Sequence, residues 1–138
     1  MIRQVPGTEQ PVKRTIAVDF DGVIHAYTSP WRGSSMYIDD APVPGSIEWL
    51  TAMVETHDVF VFSCRLLDTK RDHVANAMRV WLLAHGCPRY VAEALIFTHE
   101  KPHADVYLDD RAMRFEGTFP TREEIAAASV PWNKRGGA

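Results

Sequence analysis

Two aspartates one residue apart, Asp19 and Asp21, close the apolar run Thr15-Ile16-Ala17-Val18 and are followed directly by Gly22. A second acidic pair, Asp109-Asp110, closes the run Val106-Tyr107-Leu108. Between them Ser63 follows Val59-Phe60-Val61-Phe62, and Thr98, His99 and Lys101 follow Leu95-Ile96-Phe97. Four carboxylates brought together cannot all stay ionised without compensation, because like charges raise one another's pKa. A hard divalent cation supplies that compensation, and Mg²⁺ prefers a few carboxylates together with waters and substrate phosphate. A lysine and a serine beside it have phosphate oxygens to hold. The set suits phosphoryl transfer, in which developing charge must be neutralised and a nucleophile held in line.

These residues converge only if the apolar runs are neighbouring strands that point the same way. The first two runs, Thr15 to Val18 and Val59 to Phe62, are continuous in the pattern of strands buried on both faces, and the third and fourth read as short strands. Between them lie helical patterns. One runs from Pro44 or Ser46 to Thr56 with Ile47, Leu50 and Val54 on one face. Another is capped by Asp68 or Thr69, carries Val74, Met78, Trp81, Leu82 and His85 at helical spacing, and is stopped by Gly86 and Pro88. Tyr90 to Glu93 reads as a short helical turn, Met113 to Phe115 as a weaker strand, and Thr121 with Glu124 as a capping box opening a helix to Ser129. The expected fold is α/β: one Rossmann-like domain whose mostly parallel sheet is flanked by helices. Ligands of such a sheet bind beyond the carboxyl ends of the strands, where the named residues fall. The domain is expected over 14–130, with a loose arm at 1–13 and a tail at 131–138. Residues 22–44 hold Pro30, Gly33, Pro42 and Pro44 and read as a flap, with a hairpin through Met36-Tyr37-Ile38.

Asp19-x-Asp21-Gly22-Val23 after one strand, Ser63 after a second, then Lys101, then Asp109-Asp110 after a fourth resemble, in order, the four motifs of the haloacid dehalogenase (HAD) superfamily of phosphohydrolases. The resemblance spans roughly residues 15–116. It implies a HAD-like fold in which Asp19 attacks phosphorus to form an aspartyl-phosphate. Asp21 would protonate the leaving group and then activate the hydrolytic water. Mg²⁺ would be held by the Asp19 carboxylate, the Asp21 backbone carbonyl and Asp110, with Asp109 acting through water. Ser63 and Lys101 would bind the transferring phosphoryl group, assisted by the backbone N–H groups of Phe20, Asp21, Gly22 and Cys64. The family usually inserts a cap domain for specificity, whereas here only the 22–44 flap occupies such a position and no full cap fits. An open site suits a macromolecular or bulky phosphoester, or a partner that supplies the lid, and nucleotides or nucleic-acid phosphate ends are the leading substrate classes. Another small metabolite, a phosphoprotein, or a non-catalytic binding module on the same fold are the alternatives.

Composition sets further bounds. The 138 residues fit a single domain, and a net charge of −3 argues against bulk electrostatic binding of nucleic acid. Two cysteines on separate segments form no disulfide framework, and Cys64, inside an apolar run, reads as a small core residue. No apolar stretch is long enough for a membrane span, so a cytoplasmic protein with no membrane partner is expected; oligomeric state is left open. Arg65 and Arg111 each have two readings, binding the substrate's phosphate or pairing with an acid to hold the site. Tyr27, Trp31 and Tyr37 either pack the flap or stack on a base. His99 and His103 read as neighbours of the site. A phospho-accepting receiver domain is disfavoured, since its acceptor aspartate follows the third strand, where this chain has Thr98-His99. The acidic pair argues against a metal-free carbon–halogen hydrolase, and no Walker-type phosphate loop occurs.

Overall fold

Ala17 and Val18, on opposite faces of the first apolar run, are wholly buried, whereas in the second Val59 and Val61 are buried on one face and Phe60 and Phe62 are half-buried on the other. The computed structural model describes residues 13–130 and Trp132; of the arm at 1–13 and the tail at 131–138, all but Lys13 and Trp132 lie outside the described residues. The chain runs β1 (Arg14–Asp19), α1 (Ser46–Met53), β2 (His57–Phe62), a 3-10 turn (Cys64–Leu67), α2 (Arg71–Ala84), α3 (Arg89–Ala94), β3 (Ile96–Thr98), β4 (Val106–Leu108) and α4 (Arg122–Ala128). All four strands are parallel, in the order β3-β2-β1-β4. The fold is therefore α/β with an all-parallel sheet, compatible with a Rossmann-like architecture.

The strand order positions the site. From β1 the chain steps outward to β2 and β3, then returns to place β4 on the other side of β1. Such a reversal opens a crevice at the carboxyl ends of the two strands it separates, here β1 and β4. Val18 pairs with Leu108, so Asp19 and Asp109, one residue further along each strand, emerge side by side. Helix α2 presents Val74, Ala75, Met78, Trp81 and Leu82 to a core shared with Leu50 of α1 and Val91 of α3. Each large side chain buried there contributes about 1.5–3 kcal/mol.

Several expectations change. The hairpin through Met36-Tyr37-Ile38 does not form, because Arg65 takes the carbonyls of Ser35 and Tyr37 that a ladder would need. The flap closes instead where Ala26 N–H donates to Ala41 O and Val43 N–H donates to Ile24 O. No strand forms over 113–115; Phe115 turns to Phe119, with ring centroids 5.0 Å apart. Neither Asp68 nor Thr69 caps α2: Lys70 holds the cap position without a side-chain bond, and Asp68 Oδ1 accepts from Lys70 N–H. The first helix ends at Met53, short of Thr56. Cys64 is exposed, while Cys87 is buried. The capping box at Thr121 and Glu124 forms as read, with both reciprocal bonds.

Candidate active site

Asp19, Asp109 and Asp110 place carboxylate oxygens within 4.8 Å of one another, the one such group of three or more potential metal-binding side chains among the described residues. Burial pushes the Asp19 carboxyl up to about 8, helped by a hydrogen bond with Asp110 and by the Asp109 charge. Asp109 Oδ1 accepts from Arg111 N–H, but Asp110 Oδ1 is buried with no hydrogen-bond partner among the described residues. A buried, unpartnered carboxylate oxygen costs free energy unless something compensates it. The donor set is all oxygen and its charges are of one sign, which fits a hard divalent cation.

Gly22 lets the two acidic segments meet. Its φ is +85°, and a Cβ there would overlap the Asp110 carboxylate. Gly22→Ala combines left-handed strain of about 1–2 kcal/mol with displacement of Asp110. The expected result is a melting temperature lowered by several degrees and weakened divalent-cation binding, read by thermal melts with and without Mg²⁺. Unchanged cation stabilisation in that variant would show that Asp110 needs no such approach.

Asp21 stands apart from the trio. The turn that follows β1 gathers the N–H groups of Val23, Ile24 and His25 onto Phe20 O, which curls His25 back over Asp21. Asp21 Oδ1 is 2.8 Å from His25 Nδ1, and Oδ2 accepts from Arg65 Nε at 2.7 Å. Burial alone would raise the Asp21 pKa; the bonds from His25 and Arg65 outweigh it and hold the carboxyl below its usual value. The structure thus presents Asp21 as an ionised carboxylate. Arg65 is only 4% exposed and its guanidinium is committed to Asp21 and to the flap carbonyls of Ser35 and Tyr37. Of the two readings of Arg65, the structure shows the pairing with an acid.

Ser63 is buried, and its Oγ accepts from Arg65 N–H at the start of the 3-10 turn, with the backbone of Cys64 next in line. The exposed Lys101 rests its ammonium 4.8 Å from the Tyr107 ring centre, in a concavity of about 770 Å³ that Phe62 and Asp109 also line. It lies at the margin of the acidic crevice. Arg111 lines a separate concavity of about 690 Å³ with Phe115, Phe119 and Ile125. His99 and His103 do not join the carboxylate group. Two contributors escaped the sequence reading. His25 carries the i,i+4 spacing to Asp21 that could have found it. Trp132, placed in the tail by sequence, donates from Nε1 to Gly22 O at 2.5 Å, and no pattern in the sequence signals that contact.

No protein-family model matches the chain, no curated protein is similar to it, and no solved structure matches it. Fold and site alone define its class: an α/β domain with an all-parallel sheet and an acidic crevice at the strand reversal. No helix among the described residues is long and apolar enough to cross a membrane.

Proposed function

We propose that the chain is a Mg²⁺-dependent phosphomonoester hydrolase working through an aspartyl-phosphate on Asp19, a member of the HAD superfamily that its motifs resemble. The observation that carries this reading is the Asp19–Asp109–Asp110 group at the crevice between β1 and β4, with an oxygen of Asp110 buried and unpartnered among the described residues. Asp19, Asp110 and the Asp21 carbonyl would hold the cation, and Asp109 would act through water. The ion supplies charge neutralisation for the phosphoryl oxygens and for the crowded carboxylates. An Asp19 oxygen attacks phosphorus as the bond to the leaving alcohol oxygen breaks, and a protonated Asp21 gives that oxygen its proton. Water then attacks the same phosphorus, gives its proton to Asp21, and releases inorganic phosphate and free Asp19. Ser63, Lys101 and the N–H groups of Phe20, Asp21, Gly22 and Cys64 would steady the phosphoryl oxygens.

Nucleotides and nucleic-acid phosphate ends are the favoured substrates. Trp31 is 52% and Tyr37 46% exposed on the flap, and Arg65, which holds Asp21, lies 5.3 Å from the Trp31 ring centre. Exposed aromatic faces near a phosphate site suit base stacking, worth about 1–3 kcal/mol per base. The test is a phosphatase panel of nucleotides, 3′- and 5′-phosphorylated oligonucleotides, sugar phosphates and phosphopeptides, each with Mg²⁺ and with chelator. Chelator-sensitive release of phosphate, fastest from the nucleotide and oligonucleotide members, is expected. Turnover indifferent to chelator, or none on any member, overturns the reading.

A further inference from the structure

His25 is 1% exposed, one residue type among few that can donate and accept at once, and nothing in the proposed chemistry uses it. Its two nitrogens face different parts of the molecule. The Asp40 backbone N–H donates to Nε2 at 3.1 Å, so Nε2 carries a lone pair and the ring proton falls on Nδ1. Nδ1–H then donates to Asp21 Oδ1 at 2.8 Å. The ring cannot turn over, because Phe20 stacks on it at 5.6 Å and Trp81 meets it edge-on at 5.4 Å.

The second nitrogen ties this arrangement to the flap. Asp40 gathers the N–H groups of Thr28 and Ser29 and the Ser29 hydroxyl onto its carboxylate, while its carbonyl accepts from Trp81 Nε1 of α2. One chain of hydrogen bonds therefore runs from α2 through the flap and the imidazole to Asp21. Arg65 holds the other oxygen of Asp21 and two flap carbonyls. With one donor on each oxygen, the carboxylate is fixed in rotation and still keeps lone pairs for a proton in transit.

We propose that His25 is a positioning residue that orients the Asp21 carboxylate through Nδ1–H and couples that orientation to flap closure through Nε2. Its kinetic consequence rests on the reading of Asp21 as the acid–base group; the hydrogen-bond arrangement does not.

Two substitutions separate the two nitrogens. His25→Asn sets an amide where Nδ1 was, keeping a donor for Asp21 and losing the acceptor for Asp40. His25→Gln reaches the Nε2 position, keeping the acceptor for Asp40 N–H and losing the donor to Asp21. The measurements are kcat and KM on an aryl phosphate with Mg²⁺, melting temperatures, and the imidazole tautomer of the wild type by nitrogen-15 NMR. Positioning predicts that Gln lowers kcat on the aryl phosphate by on the order of 10²-fold and KM with it, leaving kcat/KM little changed because only hydrolysis of the intermediate needs Asp21 there, while Asn stays within several-fold of wild type. A merely structural latch gives the opposite order, or losses in both that follow the melting temperature, and overturns the proposal. An Nε2–H tautomer in the wild type overturns it without any kinetics. If the wild type hydrolyses nothing, the phosphatase reading falls, and the tautomer still decides whether His25 holds Asp21 as described.

Discussion

If Asp19 is the nucleophile as proposed, Asp19→Asn should abolish Mg²⁺-dependent phosphate release, by roughly 10⁵–10⁶-fold, because the covalent route is lost. The fold should survive. An asparagine at 19 can still accept from Phe20 N–H, which the aspartate does at 2.9 Å, and its amide can donate to Asp110. The substitution also removes one of three crowded carboxylates, and this gives a second, activity-free signature. The Asp19 carboxyl is held up near 8 by burial, by the bond with Asp110 and by the Asp109 charge. A folded-state pKa above the usual 3.8 means that the folded protein binds more protons than the unfolded chain between those values. In chelator, the stability contributed by this group is complete below the usual value and is lost as pH rises through the folded one. The wild type should lose melting temperature across that window, and Asp19→Asn should lose less. Added Mg²⁺ should offset the loss, with affinity rising with pH until Asp19 is ionised. Full turnover in the variant, or identical pH profiles of the two metal-free proteins, would sink the assignment.

What the sequence disclosed of this site follows from what short-range pattern can encode. Continuous apolar runs mark buried parallel strands, and the residues just past them are forced to one sheet edge, so Asp19, Ser63 and Asp109-Asp110 were legible. Strand order is set by long-range pairing. Val106, Tyr107 and Leu108 read as apolar as the central strands, yet all three are exposed on β4, an outer strand of the sheet. The roles of single polar residues depended on the flap, which has no period to read. Arg65 looked equally able to meet phosphate or carboxylate, and only the turn at Ser34 to Tyr37 delivers the carbonyls that bury its charge. Trp132 reaches Gly22 across 110 positions of sequence, a contact that no local pattern anticipates.

Asp21→Asn should split by leaving group, because the structure favours one half of the role assigned to Asp21 over the other. An aspartate held ionised by His25 and Arg65 is ready to take a proton from water and poorly prepared to give one to a departing alcohol. With an alkyl phosphate both steps need Asp21, and the rate should fall by roughly 10²–10⁴-fold. A nitrophenyl phosphate leaves as a stabilised anion and needs no acid. Formation of the aspartyl-phosphate should therefore stay fast in Asp21→Asn while its hydrolysis slows. Rapid mixing should then show a burst of about one nitrophenolate per site, followed by slow turnover, with phosphate trapped covalently on Asp19. Stability must be followed in parallel, since the amide can satisfy Arg65 with its oxygen only by turning its NH₂ toward His25 Nδ1–H. That clash, with the loss of a charge-assisted bond to a buried guanidinium, costs on the order of 1–3 kcal/mol at neutral pH. The depressed pKa of Asp21 gives the sign: its contribution is present above the usual carboxylate value and lost as pH falls through the folded one. The wild type and the variant should accordingly converge in stability toward acid. Equal losses on alkyl and aryl phosphates with no burst would mean that Asp21 acts by holding the site rather than by moving a proton.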